Sequence, residues 1–215
     1  LFSTTRGAPS VVMWRHTPYR RWVALAVRLG LETLARFDDL SWLTLQSVRF
    51  AREGDLRVVS MCFTRRKNSK LSKPVWVHLP DLASPFCAYR LLVRVLQMDF
   101  GVTVDVDAAR WPTRPLPKRG KGFLFPAFGR CSVRTRARYN SEMLWDKRAG
   151  ADPYRRQLRN AVREVLHLSV PDAASFGTSS MRCGGDSFLL HLGIPAGGRR
   201  DIGFWATDAA ERQYH

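Results

Sequence analysis

Apolar positions recur at helical steps from about Arg20, where Trp22, Leu25, Ala26 and Leu29 share one face. Gly30 predicts an interruption, and a second helix is expected over 31–45, carrying Leu34, Leu40 and Leu43 inward. The period then changes. Residues 46–50 alternate, Glu53-Gly54-Asp55 reads as a hairpin turn, and 56–64 and 75–79 read as strands. Together they predict a small three-stranded antiparallel sheet near the N-terminal third. Helical spacing returns over 84–98, with Leu91, Leu92, Val95 and Leu96 apolar. The Pro-, Arg- and Lys-rich stretch 105–122 predicts an exposed loop, and Phe123 to Pro126 a short buried entry. No clear period follows up to about Ala151. A basic amphipathic helix is expected over 153–168, with Pro153 in its first turn and Leu158, Val162, Val165 and Leu166 on its apolar face. A short apolar helix then closes on Gly193-Ile194-Pro195, and a polar helix leads to Gly203. With 1–19 as an irregular lead-in and no internal repeat, the expected fold is α+β, mostly helical, in a single domain spanning 1–215.

Composition adds a partner. The chain has 215 residues and 45% apolar content, enough for a real core rather than a disordered chain. Its 35 Lys+Arg against 18 Asp+Glu give a formal charge of +17. A folded domain so basic calls for a polyanion, foremost nucleic acid, with a ribosomal or membrane-surface association as the other possibilities. Cys62, Cys87, Cys131 and Cys183 form no CxxC pair, so zinc-ribbon spacing is absent; they read as reduced thiols of an intracellular protein, Cys62 and Cys87 in apolar runs as packing residues. No apolar run reaches the roughly 18 residues of a membrane span, and no signal peptide pattern opens the chain. A start at Leu1 and an end just past Tyr214 are expected of a piece of a longer protein.

Two separated places carry a family resemblance. The first is Leu34-Ala35-Arg36-Phe37-Asp38-Asp39-Leu40, an arginine on an apolar segment with an acidic residue three positions on, followed by a β-hairpin region whose turn carries lysines. The second runs from Ser179 to Tyr214: Arg182, Gly184-Gly185, Gly193-Ile194-Pro195, Gly203 before Trp205, then Tyr214. In order and interval these resemble the catalytic domain of the tyrosine recombinase (phage integrase) family, over residues 34–214. Phe123 to Pro126 adds a weaker match.

The resemblance implies DNA strand cleavage and rejoining through a 3′-phosphotyrosine, as in mobile-element or phage recombination. Tyr214 would be the nucleophile. Arg36 and Arg182 would clamp the phosphate, Lys67 would be the acid for the leaving 5′-hydroxyl (with Lys70 and Lys73 as alternatives), and Trp205 would buttress the tyrosine. Asp39 and Ser179 would support them. Arg65, Arg66, Lys70, Lys73, Lys118, Arg119 and Lys121 are expected on DNA. No cofactor and no metal are implied. Double-stranded DNA is the expected partner, with a tetramer in synapsis. The location is expected to be intracellular and DNA-associated, nuclear in a eukaryotic host. The family's separate N-terminal core-binding domain is expected to lie outside residues 1–215.

The chemistry stands on elementary grounds. A phosphoryl transition state gains negative charge on its nonbridging oxygens, which two planar, always-charged guanidinium forks can hold. A phenol with an ordinary pKa of about 10 needs a base or a strong field to attack. One position departs from the family: Ser179 stands where a histidine is usual. Serine cannot shuttle a proton near neutral pH. Three outcomes are open: a slower site, substitution by another group such as His215 or His191, or a non-catalytic DNA-binding remnant. Asp186 stands where the family prefers a small residue. Simpler readings accompany each piece: Arg36 in a surface ion pair with Asp38 or Asp39, Ser179 as a helix N-cap, His191 as a packed histidine, and the whole chain as an unrelated basic RNA-binding protein.

Overall fold

Helix α1 (Pro18–Thr33) buries Trp22, Val23, Leu25, Ala26 and Leu29, the face its spacing predicts. The computed structural model of the chain describes residues 18–65, 74–82, 84, 86–104, 122–128 and 143–203. The interruption expected at Gly30 does not occur there. Gly30 is helical, and a Cβ added to it would stand 2.9 Å from the Cβ of Met181, so the glycine serves a close crossing rather than a break.

The chain breaks instead at Leu34, which adopts φ 49. This left-handed conformation costs a non-glycine residue roughly 1–2 kcal/mol. Full burial of its side chain contributes about 1.5–3 kcal/mol in the other direction, so burial holds the strained residue in place. The helix expected over 31–45 is therefore only the four-residue α2 (Phe37–Leu40), followed by a single 3₁₀ turn at Leu45–Ser47.

Strands β1 (Val48–Glu53), β2 (Leu56–Phe63) and β3 (Val75–Pro80) form the expected antiparallel sheet in the order β1-β2-β3. Gly54 at φ 61 supplies the left-handed residue of the tight β1–β2 turn. Helix α3 (Ala88–Phe100) stops on Gly101 at φ 62. Cys87 caps its start, its sulfur accepting from the backbone N–H of Arg90.

Phe123, Leu124 and Phe125 form the expected buried entry. It leads into β4 (Pro126–Phe128), which pairs antiparallel with β5 (Met143–Arg148). Sequence periodicity does not reveal this pair. Helix α4 (Ala151–Leu166) buries Tyr154 and Leu158, whereas Val165 and Leu166, expected inward, are exposed. Three helices complete the described chain: α5 (Val170–Ala174), α6 (Ser180–His191) and α7 (Ala196–Gly203). The result is the expected α+β fold with its three-stranded sheet.

An aromatic knot joins these elements. Phe37 stacks parallel on Tyr154 at 3.8 Å between centroids and meets Phe125 edge-on at 5.9 Å. Trp22 meets Phe125 edge-on at 5.5 Å. The first residue of α2 is thereby held by α1, α4 and the β4 entry, and the residue before it is Arg36.

Candidate active site

Arg36 occupies the N-cap position of α2. Its backbone N–H donates to Asp39 Oδ2 at 3.1 Å, and its carbonyl accepts from the N–H groups of Asp39 and Leu40. The Arg36-to-Asp39 interval is thus the closure of a helix's first turn. Asp39 is buried and fixes the backbone beneath Arg36, while Asp38 is exposed.

The second arginine arrives on α6, which crosses α1 closely. A Cβ on Gly185 would stand 2.5 Å from Leu34 Cδ2 and 2.6 Å from Leu31 O, contacts that real Cβ atoms do not make. A Cβ on Gly184 would meet only Leu31 Cδ2, at an ordinary 3.5 Å. Of the Gly-Gly pair, Gly185 therefore permits the crossing. The N–H of Phe37 also reaches Thr178 O at 3.5 Å, tying the start of α2 to the segment before α6.

Arg182 is only 5% exposed, and its Nη2 donates to Gly203 O at 2.7 Å. The Nε atoms of Arg36 and Arg182 are both buried. Cys183 follows Arg182 on α6 and is half-buried. Burial pushes that thiol's pKa up, while Arg182 and, more weakly, Arg36 pull it down.

Asp186 and Arg199 show what sequence reasoning missed. Arg199 Nε donates to Asp186 Oδ1 at 3.1 Å, with both side chains buried, and Arg199 Nη1 donates to Ile194 O at 2.7 Å. The pair joins α6, the Gly193-Ile194-Pro195 turn and α7. A carboxylate at position 186 is accommodated because α7 supplies its cation. The signal was present in the sequence as a lone acidic residue in an otherwise apolar and small helix.

Other expectations are corrected. Ser179 stands at the N-cap position of α6 but makes no side-chain cap bond; Ser180 Oγ instead accepts from Gly177 N at 2.8 Å. His191 is exposed at the end of α6 rather than packed, and so are Phe188, Leu190 and Leu192 of the helix read as apolar. Arg65 is exposed, its guanidinium 4.4 Å from the Trp42 ring. Tyr214, Trp205, Lys67, Arg66, Lys70, Lys73, Lys118, Arg119, Lys121 and His215 lie outside the described residues. Among the described residues there is no group of three or more His, Cys, Asp or Glu suited to a metal ion, and no helix long and apolar enough to cross a membrane.

No family model and no curated protein matches this chain. Solved structures do. A point mutant of Flpe in a DNA Holliday junction complex superposes with a TM-score of 0.54 at 12% identity, covering 91% of this chain and 41% of that one. The FLP recombinase–Holliday junction complex I gives 0.53 at 12% identity, covering 95% and 45%. A Flpe–Holliday junction complex gives 0.50 at 13% identity, covering 96% and 41%. The chain spans less than half the length of these relatives. At such identity the likeness is one of fold: the chain has the mixed α+β fold seen in the Flp recombinase complexes.

Proposed function

We propose that this chain binds duplex DNA and cleaves and rejoins its strands through a covalent tyrosine intermediate. The observation that supports the reading is a fold similar to Flp recombinase in which α6, carrying the buried Arg182, packs against Leu31 and Leu34 close before Arg36. The Tyr214 phenolate oxygen attacks phosphorus and the bond to the 5′-oxygen breaks. The leaving 5′-hydroxyl takes its proton from Lys67, and a 3′-phosphotyrosine remains. Arg36 and Arg182 hold the two nonbridging oxygens, and Trp205 buttresses the phenol. Arg65, Arg66, Lys70, Lys73, Lys118, Arg119 and Lys121 neutralise neighbouring phosphates. Site-specific recombination in a tetrameric synapse, as in mobile-element or phage integration, is the task this chemistry suits, with the protein on DNA and nuclear in a eukaryotic host.

Incubation with a nicked suicide duplex tests the chemistry. A covalent protein–DNA adduct that Tyr214→Phe abolishes is expected; no adduct from a chain that binds the duplex would sink the cleavage step. Ser179 favours a second reading, a DNA-binding remnant of the same fold, because its hydroxyl cannot replace imidazole as a proton shuttle. That reading predicts tight duplex binding without adduct.

A further inference from the structure

Trp42 follows α2 on the same short segment as Arg36, and its indole carries two guanidiniums. Arg65, just past β2, stands 4.4 Å from the ring centroid, and Arg148, the last residue of β5, stands 4.2 Å from it. Phe123 backs the ring at 6.5 Å, edge-on. Arg148 is fixed further by Nη1 donating at 3.0 Å to Oγ of the buried Ser41, a hydroxyl that itself donates to Asp38 O at 2.9 Å. Three elements distant in sequence are thus stacked into one basic platform, and both arginines are exposed.

Two positive charges beside one ring repel each other. Stacking on the indole face offsets part of that repulsion. A guanidinium held over a ring face keeps N–H donors with which arginine can fork a phosphate, apart from the Arg148 Nη1 bond to Ser41.

We infer that Arg65, Trp42 and Arg148 form a grip for a backbone phosphate of duplex DNA, separate from the Arg36–Arg182 pair. This rests on the DNA-binding reading above and names a contact within it. The stack holds Arg148, which no motif singles out, and Arg65 at the root of the segment that carries Lys67. Such a grip fixes the register of the duplex without reading its sequence.

The test is equilibrium binding of a non-cleavable duplex by the Tyr214→Phe chain across a salt series. Arg65→Gln and Arg148→Gln should each flatten the slope of log K against log[salt] by about 0.9, the loss of one phosphate contact. Arg148→Lys keeps the charge and should recover most of the slope. A purely structural stack would instead lower the melting temperature in both glutamine variants and leave the slope unchanged, which overturns the grip while the DNA reading survives. No duplex binding by the parent chain overturns both. Adduct formation by the Tyr214-containing chain, read separately, reports the cleavage reading alone.

Discussion

Arg182 does two things at once: it pulls down the pKa of the neighbouring Cys183 thiol, and it holds the end of α7 through Gly203 O. Arg36→Gln is expected to slow single-turnover adduct formation on the order of 10²–10³-fold, about 3–4 kcal/mol of transition-state stabilisation by analogy with a lost oxyanion donor. Arg182→Lys, which keeps the charge and loses the planar fork, should show a comparable loss with little change in duplex affinity. Equal rates in variant and parent would remove these arginines from the chemistry. Cys183 makes a second test. Its folded pKa is raised chiefly by burial, so the folded chain binds the proton more tightly than the unfolded chain does. Its contribution to stability is therefore full below the unfolded thiol's pKa and is lost as pH rises through the folded one. Alkylation of Cys183, followed peptide by peptide in the mass spectrometer, should show a midpoint above the ordinary thiol value. A midpoint below it would mean that the two arginines outweigh burial and act far more strongly on the thiol.

Between elements, the decisive contacts are the α1–α6 crossing and the α6–α7 pair. Gly185→Ala forces a methyl into Leu34 and the Leu31 carbonyl, and should destabilise by about 1–3 kcal/mol in urea melts. Gly184→Ala, with ordinary contacts only, should be near neutral or slightly stabilising, since alanine favours helix. Similar behaviour of the two would refute the close crossing. Asp186→Ala leaves Arg199 buried without its carboxylate, and about 3–5 kcal/mol of stability should go with it. Replacing both partners with apolar residues of similar volume should recover much of that loss. Recovery no better than the single variant would mean that the pair contributes more than mutual compensation.

For the whole molecule, a formal charge of +17 on 215 residues makes association with DNA mainly a matter of counterion release. If six to ten phosphates are contacted, affinity for nonspecific duplex should fall by roughly 10³–10⁵ between 50 and 200 mM salt. A nearly flat salt dependence in fluorescence anisotropy would argue against a DNA-tracking face. The fold offers a backbone for such a face but does not choose its target, because phosphate contacts position a protein without specifying sequence.

Local patterns determined much of this protein. The helical face of Trp22 to Leu29, the hairpin at Gly54, the sheet of alternating strands and the two C-terminal helices were all legible, because each depends on residues close together in sequence. So was the pairing of Arg36 with Asp39 as a unit, although the backbone hydrogen bond that closes the turn came only with the structure. What tertiary packing decided was everything that depends on distant partners. The break fell at Leu34 rather than Gly30 because burial of the leucine outweighed its strained φ and because Gly30 was needed against Met181. The β4–β5 pair, the aromatic clasp on Phe37, the Asp186–Arg199 bond and the Trp42 stack each join segments with no shared period. Apart from Asp186 and Arg199, which are close in sequence, no short window contains both halves of such a contact. Residue types named the candidate chemistry, and only the crossing of α6 over α1 brought the helix of Arg182 against Leu34, close before Arg36.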